Sequence, residues 1–346
     1  MQVAFVHPGP LETETGGYAY DRRIIAELGA AGHAIAPLRL DGAFPLPSAT
    51  EVEDALARLS TTPPDTVLLA DGLALGALPA EGLRRLGRRI VALVHHPLAL
   101  ETGLSAADTA RLHASERAAL AACAAVVTVS PETARTLVAD YGVPPGRLTL
   151  AIPGTEPAAR AAANGDPPRL IAVGSLTPRK GYDILLAAVE QLADIAFSLA
   201  IVGSPALDPA TAERIAARAA AVPHGRVRLL GQLDRAQLDA AYADADLFVH
   251  PSLYEGYGMV LAEAMRRGLP VICTTGGAAA QTVPDGAGIK LPPGDADALA
   301  AALRTVLTDP ARRRVLADAA YAAGQRLPAW RDTAAVIARV LTEAAA

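Results

Sequence analysis

At 346 residues the chain is longer than one usual core, and a prior of about 150 residues per domain predicts two. A hydrophobic fraction of 51% with aromatics at only 4% supplies an Ala, Leu and Val core and marks a globular protein. The net charge of −5 argues against nonspecific nucleic-acid binding, which needs a basic face to displace counterions, and no RNA or DNA motif occurs.

The stretch from Met1 to His7 lacks the basic region and long apolar run of a signal peptide, and no segment reaches about 18 uninterrupted apolar residues, so a cytoplasmic location is expected. Residues 3–6 read as a strand, followed by a loop and a helix opened by Gly16 and Gly17. Glycines at that place let backbone amides approach a phosphate. The dinucleotide pattern G-x-G-x-x-G is absent, and a plain turn explains the pair equally well. Short apolar runs at 66–69, 90–94, 126–129 and 148–152 alternate with helical patterns, which predicts a parallel sheet. The basic run Arg84-Arg85-Leu86-Gly87-Arg88-Arg89 reads as a solvated helix face, with a weak peripheral membrane contact as the lesser reading. His95 and His96 end the 90–94 strand. They are too close in sequence, with no second pair of ligands nearby, to form a metal site, so hydrogen bonding to substrate is the expected role. Cys123 and Cys273 sit in Ala- or Val-rich segments and read as buried free thiols.

The strand pattern pauses in an Ala-, Pro- and Gly-rich stretch, and residues 158–168 are expected to link a first domain, 1–157, to a second, 169–327. The terminal helix, 328–346, is expected to pack back on the first. In the second domain the alternation restarts with runs at 170–173, 198–202, 227–230, 247–250 and 271–274. Two Rossmann-like domains are therefore expected, facing each other with strand C-termini lining a cleft, where doubly wound sheets bind ligands. Arg179 and Lys180 follow Pro178 at a predicted helix start. Two cations there oppose the helix dipole unless an anionic ligand joins them, and a diphosphate suits a forked Arg with a flexible Lys, with a solvated basic loop as the plain alternative. Asp244 and Asp246 form a D-x-D triplet, but it precedes its strand and reads as structural.

The most informative segment runs from His250 to Gly268, with Glu255 in a loop and Glu263 on the helix predicted for 258–267. The two are roughly 10 Å apart along the axis at about 1.5 Å per residue, near the span from a sugar phosphate to a ribose. The backbone amides of Gly256, Tyr257, Gly258, Met259 and Val260 point from the helix N-terminus, where the dipole favours an anion. Ionised carboxylates accept hydrogen bonds only, and Glu263 can take both vicinal hydroxyls of a ribose. The plain alternative makes Glu255 a helix cap and pairs Glu263 with Arg266 and Arg267.

On these residues the chain resembles the retaining glycosyltransferases of family 4 over nearly its whole length. The E-x7-E segment from Glu255 to Glu263, flanked by Pro251-Ser252 and Gly268-Leu269-Pro270, is the most specific part. The resemblance implies an α/β GT-B fold and a nucleoside diphosphate sugar donor, UDP- or GDP-linked. It places Glu263 on the ribose, Glu255 and the amides of residues 256–260 on the donor sugar, and Arg179 and Lys180 on the diphosphate. It gives a histidine contact to the sugar, which falls on His96 in preference to His95, and backbone reading of the base around Gln232. The acceptor hydroxyl belongs to a small molecule, lipid or glycan. The implied mechanism is front-face transfer without metal or cofactor. Two departures stand out: Ser175 where many members carry a phosphate-binding Arg, and Gln281 where a Glu is common. A nucleotide-sugar epimerase and a noncatalytic nucleotide-sugar-binding subunit are the competing readings.

Overall fold

The computed structural model describes residues 1–346 and comprises two units, Met1–Gly154 with Pro328–Ala346, and Thr155–Leu327. In the first unit the elements run β1 (Gln2–Pro8), α1 (Gly16–Ala30), β2 (Ala34–Leu40), α2 (Ala49–Ser60), β3 (Val67–Asp71), α3 (Gly72–Leu75), α4 (Ala80–Arg85), β4 (Ile90–Val94), α5 (Ala106–Ala121), β5 (Ala125–Thr128), α6 (Pro131–Ala139) and β6 (Leu148–Leu150). All strand pairs are parallel, in the order β2-β1-β3-β4-β5-β6. Strands β3 and β4 are buried along their whole length, which is why they read as continuous apolar runs instead of alternating ones. Side-chain caps at Thr15, Ser48, Ser105 and Ser130 start α1, α2, α5 and α6 by satisfying amides that have no partner within the helix.

The second unit runs β7 (Arg169–Val173), α7 (Tyr182–Glu190), β8 (Ser198–Val202), α8 (Pro209–Ala221), β9 (Val227–Gly231), α9 (Arg235–Ala243), β10 (Leu247–His250), α10 (Met259–Arg266), β11 (Val271–Thr274), α11 (Ala279–Thr282), β12 (Gly288–Leu291), α12 (Ala296–Thr308) and α13 (Pro310–Gly324). Its sheet order is β12-β11-β10-β7-β8-β9, which, counted within the unit, is the 3-2-1-4-5-6 order of a Rossmann fold. The order reverses between β7 and β10, paired through Leu170 with Leu247 and Ile171 with Phe248. The last helix, α14 (Trp330–Ala345), belongs to the first unit. Its Trp330 packs edge-on against Tyr20 of α1 at 5.5 Å and lies under the Arg23 guanidinium. Gly154 makes this approach feasible, because a Cβ there would fall 2.3 Å from the Trp330 nitrogen.

Two strands have no counterpart among the runs read from the sequence. β2 is half exposed and carries Pro37 and Arg39, and β12 is never fully buried and carries Lys290. Both are edge strands with a single partner, so weak burial leaves little apolar signal. The Asp244–Asp246 triplet is a clamp: Asp246 accepts from the Gly165 and Arg169 amides at 2.8 and 2.7 Å, and Arg169 also pairs with Asp244. The stretch 158–168, expected as a linker, is thereby tied to the second unit, and Ala161 is buried with its amide on the Arg267 carbonyl.

Candidate functional site

The loops after β7 and β10 meet at the reversal of strand order in the second sheet, the place where doubly wound sheets bind ligands. Pro178–Lys180 forms a single 3-10 turn that precedes α7, so Pro178 opens this turn and not the helix itself. Gly181 links the two in the left-handed conformation, φ 69°, and a Cβ there would lie 2.2 Å from the Pro251 carbonyl oxygen. That close approach lets the loops be stitched together: the Leu253 amide and the Ser252 hydroxyl both donate to the Arg179 carbonyl, at 2.8 and 3.0 Å.

Glu255 lies at the centre of this seam, 6% exposed. Its Oε1 accepts from Lys180 Nζ at 2.6 Å and faces His250 Nε2 at 2.9 Å, while Arg179 approaches Oε2 at 3.8 Å and donates to the Tyr254 carbonyl at 2.8 Å. Burial alone pushes the Glu255 carboxyl upward, but Lys180, His250 and Arg179 together outweigh it and hold the group well below the usual carboxylate range. Burial holds His250 below its ordinary value, so the cluster is two cations against one carboxylate, net positive. Gly276 and Gly277 close the far side. The Glu255 amide donates to the Gly276 carbonyl and the Ala278 amide to the Glu255 carbonyl, at a separation where a Cβ on Gly277 would sit 2.3 Å from the Glu255 oxygen.

Helix α10 begins one residue later than expected, with Gly258 as its N-cap at φ 86°. No side chain caps it, so the first amides of Met259 and Val260 face outward with the positive end of the dipole. Tyr257 is buried, and its carbonyl accepts from Thr282 of α11. Glu263 follows on the same helix. Its Oε2 accepts from the Tyr242 hydroxyl at 3.2 Å and its Oε1 from Arg235 at 3.4 Å. Burial raises its carboxyl above the usual value, against the pull of Arg235 and Arg267. The plain pairing with Arg266 and Arg267 side chains does not occur. Arg266 donates to the Glu156 and Gly324 carbonyls, and Arg267 to the Glu263 backbone and to Asp239.

In the first unit, Gly16 and Gly17 open α1, and a Cβ on Gly17 would meet the His95 ring at 3.3 Å. His95 Nε2 is 3.0 Å from Asp21 Oδ1, with Tyr20 edge-on to its ring, whereas His96 Nε2 faces Glu101 at 3.2 Å. The structure thus joins Gly17 to His95. Gln232 is exposed in the turn after β9, Ser175 follows β7 in the basic loop, and Gln281 lies on α11. Of the basic run, Arg84 and Arg85 pair with Glu81, and Arg88 donates to the Ser60 and Thr62 carbonyls. Sequence reasoning missed His250, Asp21 and Asp71. The signal for His250 and Asp71 was a polar residue closing an otherwise apolar strand, and for Asp21 a lone acid on the buried face of α1.

A model of the family described as Glycosyltransferase Family 4 matches residues 7–159, and one described as Glycosyl transferases group 1 matches residues 155–323. The chain is similar to the GDP-mannose-dependent alpha-(1-6)-phosphatidylinositol monomannoside mannosyltransferase of Mycolicibacterium smegmatis, 31% identical over 302 residues, 80% of this chain and 76% of that protein. It is also similar to D-inositol 3-phosphate glycosyltransferase 2 of Catenulispora acidiphila, 32% identical over 266 residues, which are 70% of this chain; the chain spans 61% of that protein. Among solved structures, Anabaena Alr3699/HepE in complex with UDP-glucose superposes with a TM-score of 0.80 at 18% identity, over 99% of this chain and 100% of that one. The fold is α/β GT-B, as expected from the sequence.

Proposed function

This chain belongs to glycosyltransferase family 4, and from that premise we propose that it transfers a sugar from a nucleoside diphosphate sugar to an acceptor hydroxyl with retention at the anomeric carbon, its second unit holding the donor. The observation that carries this reading is the seam at the strand-order reversal, where Lys180 and Arg179 lie 2.6 and 3.8 Å from buried Glu255 beside the uncapped start of α10. A net positive cluster next to outward amides suits a diphosphate. Glu255, held ionised, accepts from donor-sugar hydroxyls, and Glu263 with Tyr242 and Arg235 around it takes the ribose. HepE was crystallised with UDP-glucose and the Mycolicibacterium relative is named as GDP-mannose-dependent, which supports the ligand class.

Double displacement needs a free carboxylate nucleophile at the anomeric carbon. Glu255 is a poor one, since both of its oxygens face cations or imidazole. The front-face route fits better. The acceptor oxygen bonds to the anomeric carbon on the face from which the phosphate oxygen leaves, and that leaving oxygen takes the acceptor proton. Arg179, Lys180 and the α10 dipole stabilise the charge that develops there. Side chains then supply the positive charge, and we expect no metal. In the first unit, His95 and His96 with Gly16 and Gly17 are assigned to substrate contact, the Gly17 packing favouring His95. We propose a cytoplasmic location, which suits the free, buried thiols of Cys123 and Cys273.

The test is calorimetry with UDP and GDP on the full chain and its Lys180→Ala variant, followed by mass spectrometry of nucleotide sugars incubated with and without acceptor extract. The expected result is binding that weakens in the variant and donor turnover that requires acceptor. Binding unaffected by Lys180→Ala, or donor converted without acceptor, overturns the reading.

A further inference from the structure

Asp21, Asp71 and His95 come together in the first unit from three elements: the second turn of α1, the last residue of β3 and the residue after β4. One polar atom from each lies within 4.8 Å of the others. Asp21 is 0% and Asp71 4% exposed. Asp21 Oδ1 bonds to His95 Nε2 at 3.0 Å, and Asp71 Oδ1 accepts the Leu73 amide at 2.9 Å. Asp21 Oδ2, fully buried, has no donor. A buried ionised oxygen without a donor is costly, and two ionised carboxylates beside one imidazolium leave an uncompensated charge. An Asp71 oxygen lies within 4.8 Å of an Asp21 oxygen, so one proton held between the two carboxyls removes both problems.

We propose that Asp21 and Asp71 share one proton at neutral pH and act as a singly charged dyad that holds His95 as an imidazolium by its Nε2, leaving Nδ1 for substrate. Asp21 and Asp71 are positioning residues, acting through His95. The surroundings agree. Burial and the neighbouring Asp21 push the Asp71 carboxyl up to about 7. Burial works to lower His95, but Asp21 and Asp71 outweigh it and raise it. From β1, His7 is held low by burial, despite Asp21 and Glu12 and helped by Arg39 of β2. From α1, Tyr18 donates to the Pro8 carbonyl and is pushed up to about 12 by burial and then by Asp71 and Asp21, while Tyr20 is raised by burial and Asp21. His7, Tyr18 and Tyr20 thus stay neutral, so the His95 imidazolium is the counter-charge in contact with the dyad.

The role of His95 Nδ1 rests on the transfer reading above, but the dyad itself is tested without activity. The measurement is an NMR pH titration of the His95 ring in wild type, Asp71→Asn and Asp21→Asn, assigned with His95→Gln, with metal content measured on the same wild-type sample. The amide of Asp71→Asn donates where the protonated acid does, so that variant should keep the raised His95 midpoint while losing the second inflection expected of wild type near pH 7. Asp21→Asn should lower the midpoint by a factor of ten or more in proton affinity. If Asp21→Asn does not fold, the presence of the second inflection in wild type and its loss in Asp71→Asn decide the matter. Asp71→Asn lowering the midpoint as far as Asp21→Asn, a wild type with no second inflection, or a stoichiometric divalent metal in the protein would each overturn the proposal. Absence of glycosyl transfer alongside the expected titration would refute the transfer reading and leave the dyad standing.

Discussion

Glu116 offers a direct measure of how this fold uses buried acids. It lies on α5, 0% exposed, with Oε2 accepting the Leu98 amide at 2.9 Å, two residues beyond His96, and with Tyr141 in hydrogen-bonding range. Burial pushes its carboxyl from 4.5 up to about 8, against the opposing pull of the Leu98 and Tyr141 hydrogen bonds. A folded-state value above the unfolded one means that the stabilisation is fully present below 4.5 and is lost as pH rises through about 8. Between pH 5 and 8 the unfolded chain releases this proton while the folded chain keeps it. At about 1.4 kcal/mol per unit, wild type then loses about 3 to 4 kcal/mol over that window on account of this group. Glu116→Gln keeps the shape and the acceptor for Leu98 and cannot ionise. The variant should match wild type near pH 5 and exceed it by about 3 to 4 kcal/mol near pH 8. Urea unfolding followed by fluorescence isolates the effect, because the chain has one tryptophan, Trp330, and it is packed in the same unit against Tyr20. Stability curves for the two proteins that run parallel from pH 5 to 8 would refute a protonated Glu116.

Three further outcomes test the proposed donor site. Lys180→Ala and Arg179→Ala should each lower turnover by about a hundredfold, the loss expected for one charge-stabilising donor; unchanged steady-state kinetics in both would remove the basic pair from catalysis. Glu263→Ala should weaken nucleotide binding by roughly ten- to a hundredfold, as for hydrogen bonds to a charged group worth about 1.5 to 3 kcal/mol, and calorimetry that shows an unaltered Kd would place the ribose elsewhere. Dialysis against EDTA should leave turnover unchanged, and activity that returns only with an added divalent cation would contradict the charge assignment to Arg179 and Lys180.

The strands most sharply legible in the sequence lie inside the sheets, although the edge strands β6 and β9 also carry apolar runs, at 148–152 and 227–230. β4, β8, β10 and β11 begin and end where their apolar runs do, whereas β2 and β12 are edges whose polar residues dilute the pattern. The site divides along a similar line. Glu255, Glu263, Arg179 and Lys180 stand out because each sits at a helix mouth or in a loop where charge demands a reason. Their mutual geometry does not: Lys180 and Glu255 are 75 residues apart, and only the pairing of β7 with β10 brings their loops together. The acid dyad was harder still. Asp71 looks like an ordinary helix cap, and it does accept the Leu73 amide, while Asp21 is one acid in a helix rich in charge. Their chemistry arises from adjacency across β1, β3 and β4, the place in the first sheet where the strand order turns. In both sheets, then, periodicity reveals which strands form the scaffold, but strand order decides which polar side chains share a charge or a proton, and strand order is a property of packing that no local pattern carries.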